Sequence, residues 1–384
     1  MYLKNFSFRE NEGQNIEWII DDVSLGEINL MVGKNSSGKT RTLNALSDLV
    51  SMLRGKGTSA TGPVSYELAF QNDKDLMRYE LAYDPETIHL EKLYLGKELV
   101  LERGEGGNGR VKYEGTPGSM FLDFQIPHDQ LVCHAKRDRL QHPFIETIHG
   151  WAINLRRFNF SGDLGKTRFA LKSSFEAREV DWTDTTNSLV PAISVAQEEF
   201  TEFHGKLLED MRQIGYNLQD FGVIHFSERF SSGSQDRYVV FTTEKGLEKQ
   251  VTQREMSQGM FRAFSVLVQF NYFILSGNKG FVIIDDIGEG LDFSRAKLLV
   301  QLLISKARAA DIQLIMSTND SFIMNAVDIE HWAVIMREGH KISLYNYENS
   351  KEIFEEFKFT GLNNFDFYAS EFFRSGFSDE EPEE

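Results

Sequence analysis

Gly33-Lys34-Asn35-Ser36-Ser37-Gly38-Lys39-Thr40 is the stretch on which the reading of this chain turns. Two glycines, separated by four residues and followed by Lys-Thr, fit the phosphate-loop pattern. Both flanks agree with it. Ile28-Asn29-Leu30-Met31-Val32 reads as a buried strand, and from Thr40 to Leu53 apolar Leu43, Leu46, Leu49, Val50 and Leu53 recur at helical spacing. Strand, glycine-rich turn and helix form the context in which backbone N–H groups curl round a phosphate at a helix N-terminus. In such a loop Lys39 reaches the β- and γ-phosphates and Thr40 ligates Mg²⁺. The bland alternative is a Gly/Ser turn before an ordinary helix, and both flanks argue against it.

The bulk composition narrows the field. The chain has 384 residues, 41% of them hydrophobic and 26% charged, as expected of a globular protein with one large core or two domains. No apolar run reaches membrane-spanning length, and Met1-Tyr2-Leu3-Lys4-Asn5-Phe6 lacks the apolar core of a signal peptide. Cys133 is the single cysteine, which excludes an internal disulfide and thiolate-rich zinc clusters, so a cytoplasmic location is expected. The net charge of −17 disfavours non-specific nucleic-acid binding. Some of that charge lies in Ser378-Asp379-Glu380-Glu381-Pro382-Glu383-Glu384, which reads as a disordered tail.

The flanking regions separate into four parts. Residues 1–125 hold short strands, with Asn11-Glu12-Gly13 and Asp21-Asp22 as turn signals. The phosphate loop, a flexible loop over 54–62 and an antiparallel β-layer over 63–125 follow. Residues 126–255 form a mixed, more helical insertion that ends in two strands over 219–243. Within it Phe200, Phe203, Leu207, Met211 and Ile214 are spaced as one buried helix face, too short for a coiled-coil arm. Lys136-Arg137-Asp138-Arg139 and Arg156-Arg157 are the only candidate polyanion contacts there, and solvated surface is the better account of both. Residues 256–346 alternate again: helix 257–276, strand 281–284, helix 293–308, strand 312–316, a short helix at 321–326, then strands 331–336 and 341–346. Residues 347–384 are Phe-rich and must pack on the core or on a partner.

The second half of a nucleotide site is legible downstream. Phe281-Val282-Ile283-Ile284-Asp285-Asp286 is a buried strand running into two acids. A phosphate loop needs a partner carboxylate for Mg²⁺, and the carboxyl edge of an open α/β sheet is where ligands bind. Met256-Ser257-Gln258-Gly259 opens a long helix, so a serine sits at a helix N-terminus that suits an anion.

Phosphate loop, signature-like Ser-Gln-Gly, acid-ending strand and then Leu291-Asp292 is the order found in ABC-type ATPases. Within them the chain resembles the SMC, RecF and OLD-like branch, whose loops carry an Asn like Asn35, rather than transporter subunits. The resemblance covers the first fifty residues and about 255–325. It implies an α/β ABC ATPase head: a parallel phosphate-loop core sheet, an antiparallel β-layer and a largely helical insertion. It further implies that Gly33, Lys34, Asn35, Ser36, Ser37, Gly38, Lys39 and Thr40 bind ATP, and that Thr40 and Asp285 hold Mg²⁺. Ser257, Gln258 and Gly259, assisted by Arg262, contact the γ-phosphate on a second subunit, and Asp292 lies in the loop that crosses the interface. ATP is then sandwiched in a homodimer or higher homo-oligomer.

Two departures from the family pattern stand out. Asp286 occupies the position where the family usually has a catalytic Glu, with Glu289 as a substitute from the following turn. Asn319 stands where a switch His is common. A shorter carboxylate and an uncharged amide both point to slow hydrolysis. Gln71, Gln125 and Gln130 are equal candidates for the glutamine loop. The compact, acidic chain resembles stand-alone ATPases of bacterial anti-phage defence, of the PARIS-like or Septu-like kind. That implies an ATP-held switch that controls a separate effector, a nuclease or other toxin. The competing readings are a RecF/SMC-like repair clamp on DNA, with a basic groove and DNA-stimulated turnover, and a non-hydrolysing nucleotide-dependent scaffold.

Overall fold

In the computed structural model, residues 1–72, 75–115, 120–176, 180–181, 183–230, 233–247 and 249–377 are described. The acidic tail lies outside them. The chain divides into two compact units, Met1–Leu155 with Asp328–Glu384, and Arg156–Val327.

The first unit begins with β1 (Tyr2–Glu10), β2 (Trp18–Ser24) and β3 (Ile28–Val32). Asp21 and Asp22 lie inside β2 instead of forming the expected turn. What the two acids mark is a bulge. Asp22 adopts φ 46°, the β1–β2 register shifts between Phe6 and Phe8, and the Asp22 N–H donates to Ser7 Oγ at 2.9 Å. All five residues of β3 are buried, as in a strand covered on both faces. α1 (Lys39–Leu53) follows, with Leu43, Leu46, Leu49, Val50 and Leu53 all at most 1% exposed. The next strands are β4 (Val64–Asn72), β5 (Asp75–Tyr83), β6 (Ile88–Leu95), β7 (Glu98–Arg103), β8 (Asn108–Tyr113) and β9 (Met120–Gln125), each antiparallel to the one before. Short α2 (Val132–Ala135) and α3 (Pro143–Ile153) close this part.

All but the first residue of β10 (Leu155–Asn159) belongs to the second unit, which continues with β11 (Ala170–Leu171), α4 (Lys172–Glu176), α5 (Leu189–Glu199) and α6 (Phe203–Gln213). The expected apolar face is α6, with Phe203, Leu207, Met211 and the following Ile214 all inaccessible. Phe200 is instead the C-cap of α5, its ring 5.8 Å from that of Tyr272. A long hairpin, β12 (Leu218–Phe230) and β13 (Gly233–Glu244), leads through β14 (Gln250–Thr252) to α7 (Gln258–Ser276) and β15 (Phe281–Asp285). α8 (Phe293–Ala309), β16 (Gln313–Thr318) and α9 (Ser321–Ala326) complete the unit. One sheet of the unit runs β10-β15-β16, with β15 and β16 parallel. Another runs β11-β13-β12, with β14 beside β13.

The chain re-enters the first unit with β17 (Trp332–Glu338), β18 (Lys341–Asn346), α10 (Lys351–Lys358) and α11 (Asn364–Ala369). The sheet there runs β3-β17-β18-β2-β1-β4-β5-β6-β7-β8-β9. β17 is parallel to the phosphate-loop strand β3. The β-layer thus continues the same sheet. The Phe-rich end packs on the core of its own unit. Phe354, Phe357, Phe367 and Phe373 are at most 2% exposed, and the Phe367 ring lies 4.6 Å from Phe354 and 6.4 Å from Trp332. Full burial of each ring contributes about 1.5–3 kcal/mol, which anchors α10 and α11. Phe359 and Phe377 remain exposed.

Candidate nucleotide-binding site

The phosphate loop is shaped by its glycines. Gly38 has φ 103°, and a Cβ there would lie 2.7 Å from the Trp18 ring. At Gly33 a Cβ would lie 2.6 Å from Ser37 Oγ and 2.8 Å from the Ile335 carbonyl. Only glycine meets both demands. Ser36 adds a left-handed turn at φ 65°. Lys39 is buried and spans the loop, its Nζ donating to the carbonyls of Gly33 at 2.7 Å and Lys34 at 3.1 Å. α1 starts on Gly38 with no side-chain cap and no acid in its first turn. Its positive end is therefore left to the loop, the geometry that binds a phosphate. Ser37 Oγ is buried without a hydrogen-bond partner. Lys34, Asn35, Ser36 and Thr40 are exposed. A cleft of about 680 Å³ opens between Lys34–Ser37, the end of β17 and the C-terminal segment, and Lys34 Nζ meets Glu371 at 3.3 Å. A confined loop with an orphaned hydroxyl, a bare helix end and a lysine folded over its carbonyls fits a polyphosphate.

In the second unit Asp285 ends β15 at 1% exposure. Ser317 at the end of β16 donates its Oγ–H to Asp285 Oδ1 at 2.5 Å, and the same Oγ accepts the Asp286 N–H at 2.9 Å. Arg157 on β10 brings its guanidinium to 3.6 Å from Asp285 Oδ2, and the Phe160 N–H donates to the Asp285 carbonyl at 2.9 Å. Asp286 has φ 56°, a conformation that Asp tolerates better than most residues, and it is half-buried. Glu289 and Asn319 are exposed. Asn319 directly precedes Asp320, the N-cap of α9.

The signature segment packs on the loop after β15. Ser257 is the N-cap of α7, its Oγ accepting the Met260 N–H at 3.2 Å, and Gln258 is the first helical residue. A Cβ on Gly259 would lie 2.4 Å from the Gly290 carbonyl, so the helix and loop 288–292 touch backbone to backbone. Arg262 is 3% exposed. Its guanidinium donates to the carbonyls of Glu289 at 2.6 Å and Gly162 at 3.1 Å, so here it braces the loop. Asp292 caps α8 through the Arg295 N–H at 3.1 Å and pairs with the Arg295 guanidinium at 2.9 Å.

The three glutamine candidates occupy different settings in the first unit. Gln71 is on β4, Gln125 ends β9, and Gln130 lies in the turn before α2, lining a second cleft. The residues that sequence reasoning missed are Ser317 and Arg157. Ser317 could have been found as the polar end of an apolar strand. Arg157 carries no such signal, because Arg156-Arg157 reads as surface charge. In fact Arg156 is 4% exposed, its guanidinium 4.7 Å from the centre of the Phe273 ring, and Arg157 faces Asp285. Arg137, by contrast, is an ordinary surface partner of Glu146.

The first unit thus carries a phosphate loop after β3, and the second a buried acid at the end of β15. Residues 151–325, under half of the chain, match the model of a family described as "AAA domain, putative AbiEii toxin, Type IV TA system". The chain is similar to an SMC head crystallised with the C-terminal winged-helix domain of ScpA, with a TM-score of 0.55, 12% identity and coverage of 92% of this chain and 100% of the other. An SMC head with an extended coiled coil, bound to the C-terminal domain of ScpA derived from Pyrococcus furiosus, matches with a TM-score of 0.50, 12% identity and coverage of 93% and 99%. The ribose import ATP-binding protein RbsA of Oceanobacillus iheyensis is 29% identical over 108 residues. That match spans 27% of this chain and only 22% of RbsA. The fold is that of an ABC/SMC-type ATPase head. Among the described residues no helix is long and apolar enough to cross a membrane.

Proposed function

We propose that this chain is an ATP-binding, slowly hydrolysing switch that self-associates through bound nucleotide and controls a separate effector, a nuclease or other toxin, in anti-phage defence. The observation that carries the nucleotide reading is the phosphate loop, with glycines where no Cβ fits, a helix end without a side-chain cap and Lys39 across the loop carbonyls. Lys39 would exchange those carbonyls for the β- and γ-phosphate oxygens of a bound nucleotide. Thr40 and Asp285 would each offer a hard oxygen to Mg²⁺, which when bound would neutralise charge on the phosphates. Asp286 orients the attacking water from a strained, amide-anchored position with a short carboxylate, hence the slow rate. Ser257, Gln258 and Gly259 present the α7 N-terminus to the γ-phosphate on a second copy, with Arg262 and Asp292 holding the loop that crosses the interface.

The matching family's description, which names a toxin of a toxin–antitoxin system, supports the defence reading. A DNA clamp would use a basic groove, and three of the bases offered for one are engaged elsewhere: Arg156 is buried, Arg157 faces Asp285 and Arg137 pairs with Glu146. The non-hydrolysing scaffold stands as second reading because Asp286 and Asn319 replace the usual Glu and His.

Light scattering of the full chain tests the proposal. ATP–Mg²⁺ should convert the wild type to a dimer or larger oligomer, while Lys39→Ala stays at its nucleotide-free mass. An unchanged wild-type mass with ATP bound would contradict the self-association, and ATP binding by Lys39→Ala with wild-type affinity would contradict the site.

A further inference from the structure

Asp285 has two oxygens and two kinds of partner. Oδ1 takes the Ser317 hydroxyl at 2.5 Å, and Oδ2 faces the Arg157 guanidinium at 3.6 Å. A carboxylate at 1% exposure needs such compensation. Arg157 is not swept there by chance packing. The Phe160 N–H to the Asp285 carbonyl locks the end of β10 to the end of β15, and the Thr185 hydroxyl donates to the Arg157 carbonyl at 2.5 Å. The Arg157 side chain keeps 22% exposure, and its guanidinium cannot shed its charge by deprotonation.

We propose that Arg157 is a positioning residue of the nucleotide site that sets its divalent-cation demand. The inference rests on the reading of Asp285 as a Mg²⁺ ligand. A cation that takes Oδ2 meets a fixed positive charge competing for the same lone pairs. The carboxylate is therefore kept ready but weak, and binds a divalent ion firmly only when nucleotide phosphates bring it. Arg157 acts through Asp285 and touches neither nucleotide nor water in this scheme.

The test is the Mg²⁺ concentration that half-saturates ATP binding to the full-length chain, followed with a fluorescent ATP analogue, for wild type, Arg157→Gln and Arg157→Lys. Losing a charge at this distance in a partly buried site should lower the half-saturating Mg²⁺ roughly tenfold in Arg157→Gln. Arg157→Lys, which keeps the charge, should stay close to wild type and also serves if the Gln variant does not fold. An unchanged or increased Mg²⁺ demand in Arg157→Gln, with only a lower melting temperature, makes Arg157 a structural counter-ion and overturns the inference. So does a Lys variant that departs from wild type in the way expected of Gln. If the wild type binds the analogue with no Mg²⁺ dependence, the metal reading of Asp285 falls, and the inference with it. If it binds no nucleotide at all, the proposed function falls first.

Discussion

Glu91 in the first unit and Asp285 in the second are both carboxylates withdrawn from water, at 0% and 1% exposure, and the protein satisfies them by different means. Glu91 sits mid-strand and is held by neutral donors: the N–H groups of Val132 at 2.6 Å and Cys133 at 3.0 Å, and the Tyr79 hydroxyl at 3.0 Å. It ties the first turn of α2 to the β-layer. Asp285 lies at a strand end, accepts from one hydroxyl and faces a guanidinium at 3.6 Å. Saturation by fixed backbone donors makes a structural knot. Partial compensation at the edge of a sheet leaves capacity for a ligand. Burial alone does not tell the two apart, whereas the kind of partner does.

Ser317→Ala breaks this contrast most strongly. It removes one partner from buried Asp285 and another from the half-buried Asp286 amide, at a cost of about 1–3 kcal/mol, read as the shift in urea midpoint. It should also weaken ATP–Mg²⁺ binding. A change of stability without any change in binding would move Asp285 into the same class as Glu91.

Glu91→Gln has the smaller effect, and its signature is in pH. Burial pushes the Glu91 carboxyl above its ordinary value, with the Cys133 and Val132 amides pulling back. The folded chain therefore holds this proton more tightly than the unfolded one. The stability that Glu91 provides is full below the unfolded carboxyl value and is lost as pH rises through the higher folded value. Chemical denaturation across that window should show wild type losing stability with rising pH and Glu91→Gln losing less, with ATP affinity equal in both. Parallel slopes would mean that the backbone donors cancel the burial effect.

The same contrast explains what was legible in the sequence. The phosphate loop is a backbone site. Its glycines, lysine and flanking periodicity are local, so Gly33–Thr40, β3 and α1 read directly. The alternation after residue 257 reads as well, because each strand and helix carries its own period. Asp285 was found by strand pattern, but its partners were not. Ser317 and Arg157 come from strands 32 residues later and 128 earlier, and only the β10-β15-β16 order brings them together. Arg156-Arg157 looks like surface charge in one dimension. On a strand the two point to opposite faces, so one meets Phe273 and the other Asp285. Asp21-Asp22 failed as a turn because a bulge uses the same residue chemistry within a strand.

The proposed slow ATP-held switch depends on the short carboxylate of Asp286. Its most direct test is steady-state hydrolysis of ATP–Mg²⁺ by the wild type alone and by Asp286→Glu. Wild-type turnover should lie below roughly one per second, at or under the bottom of the usual enzyme range. The longer carboxylate should raise it by up to about a hundredfold with ATP affinity unchanged. Turnover of several per second by the unaccompanied wild type, or a drop in rate on installing Glu, would contradict it.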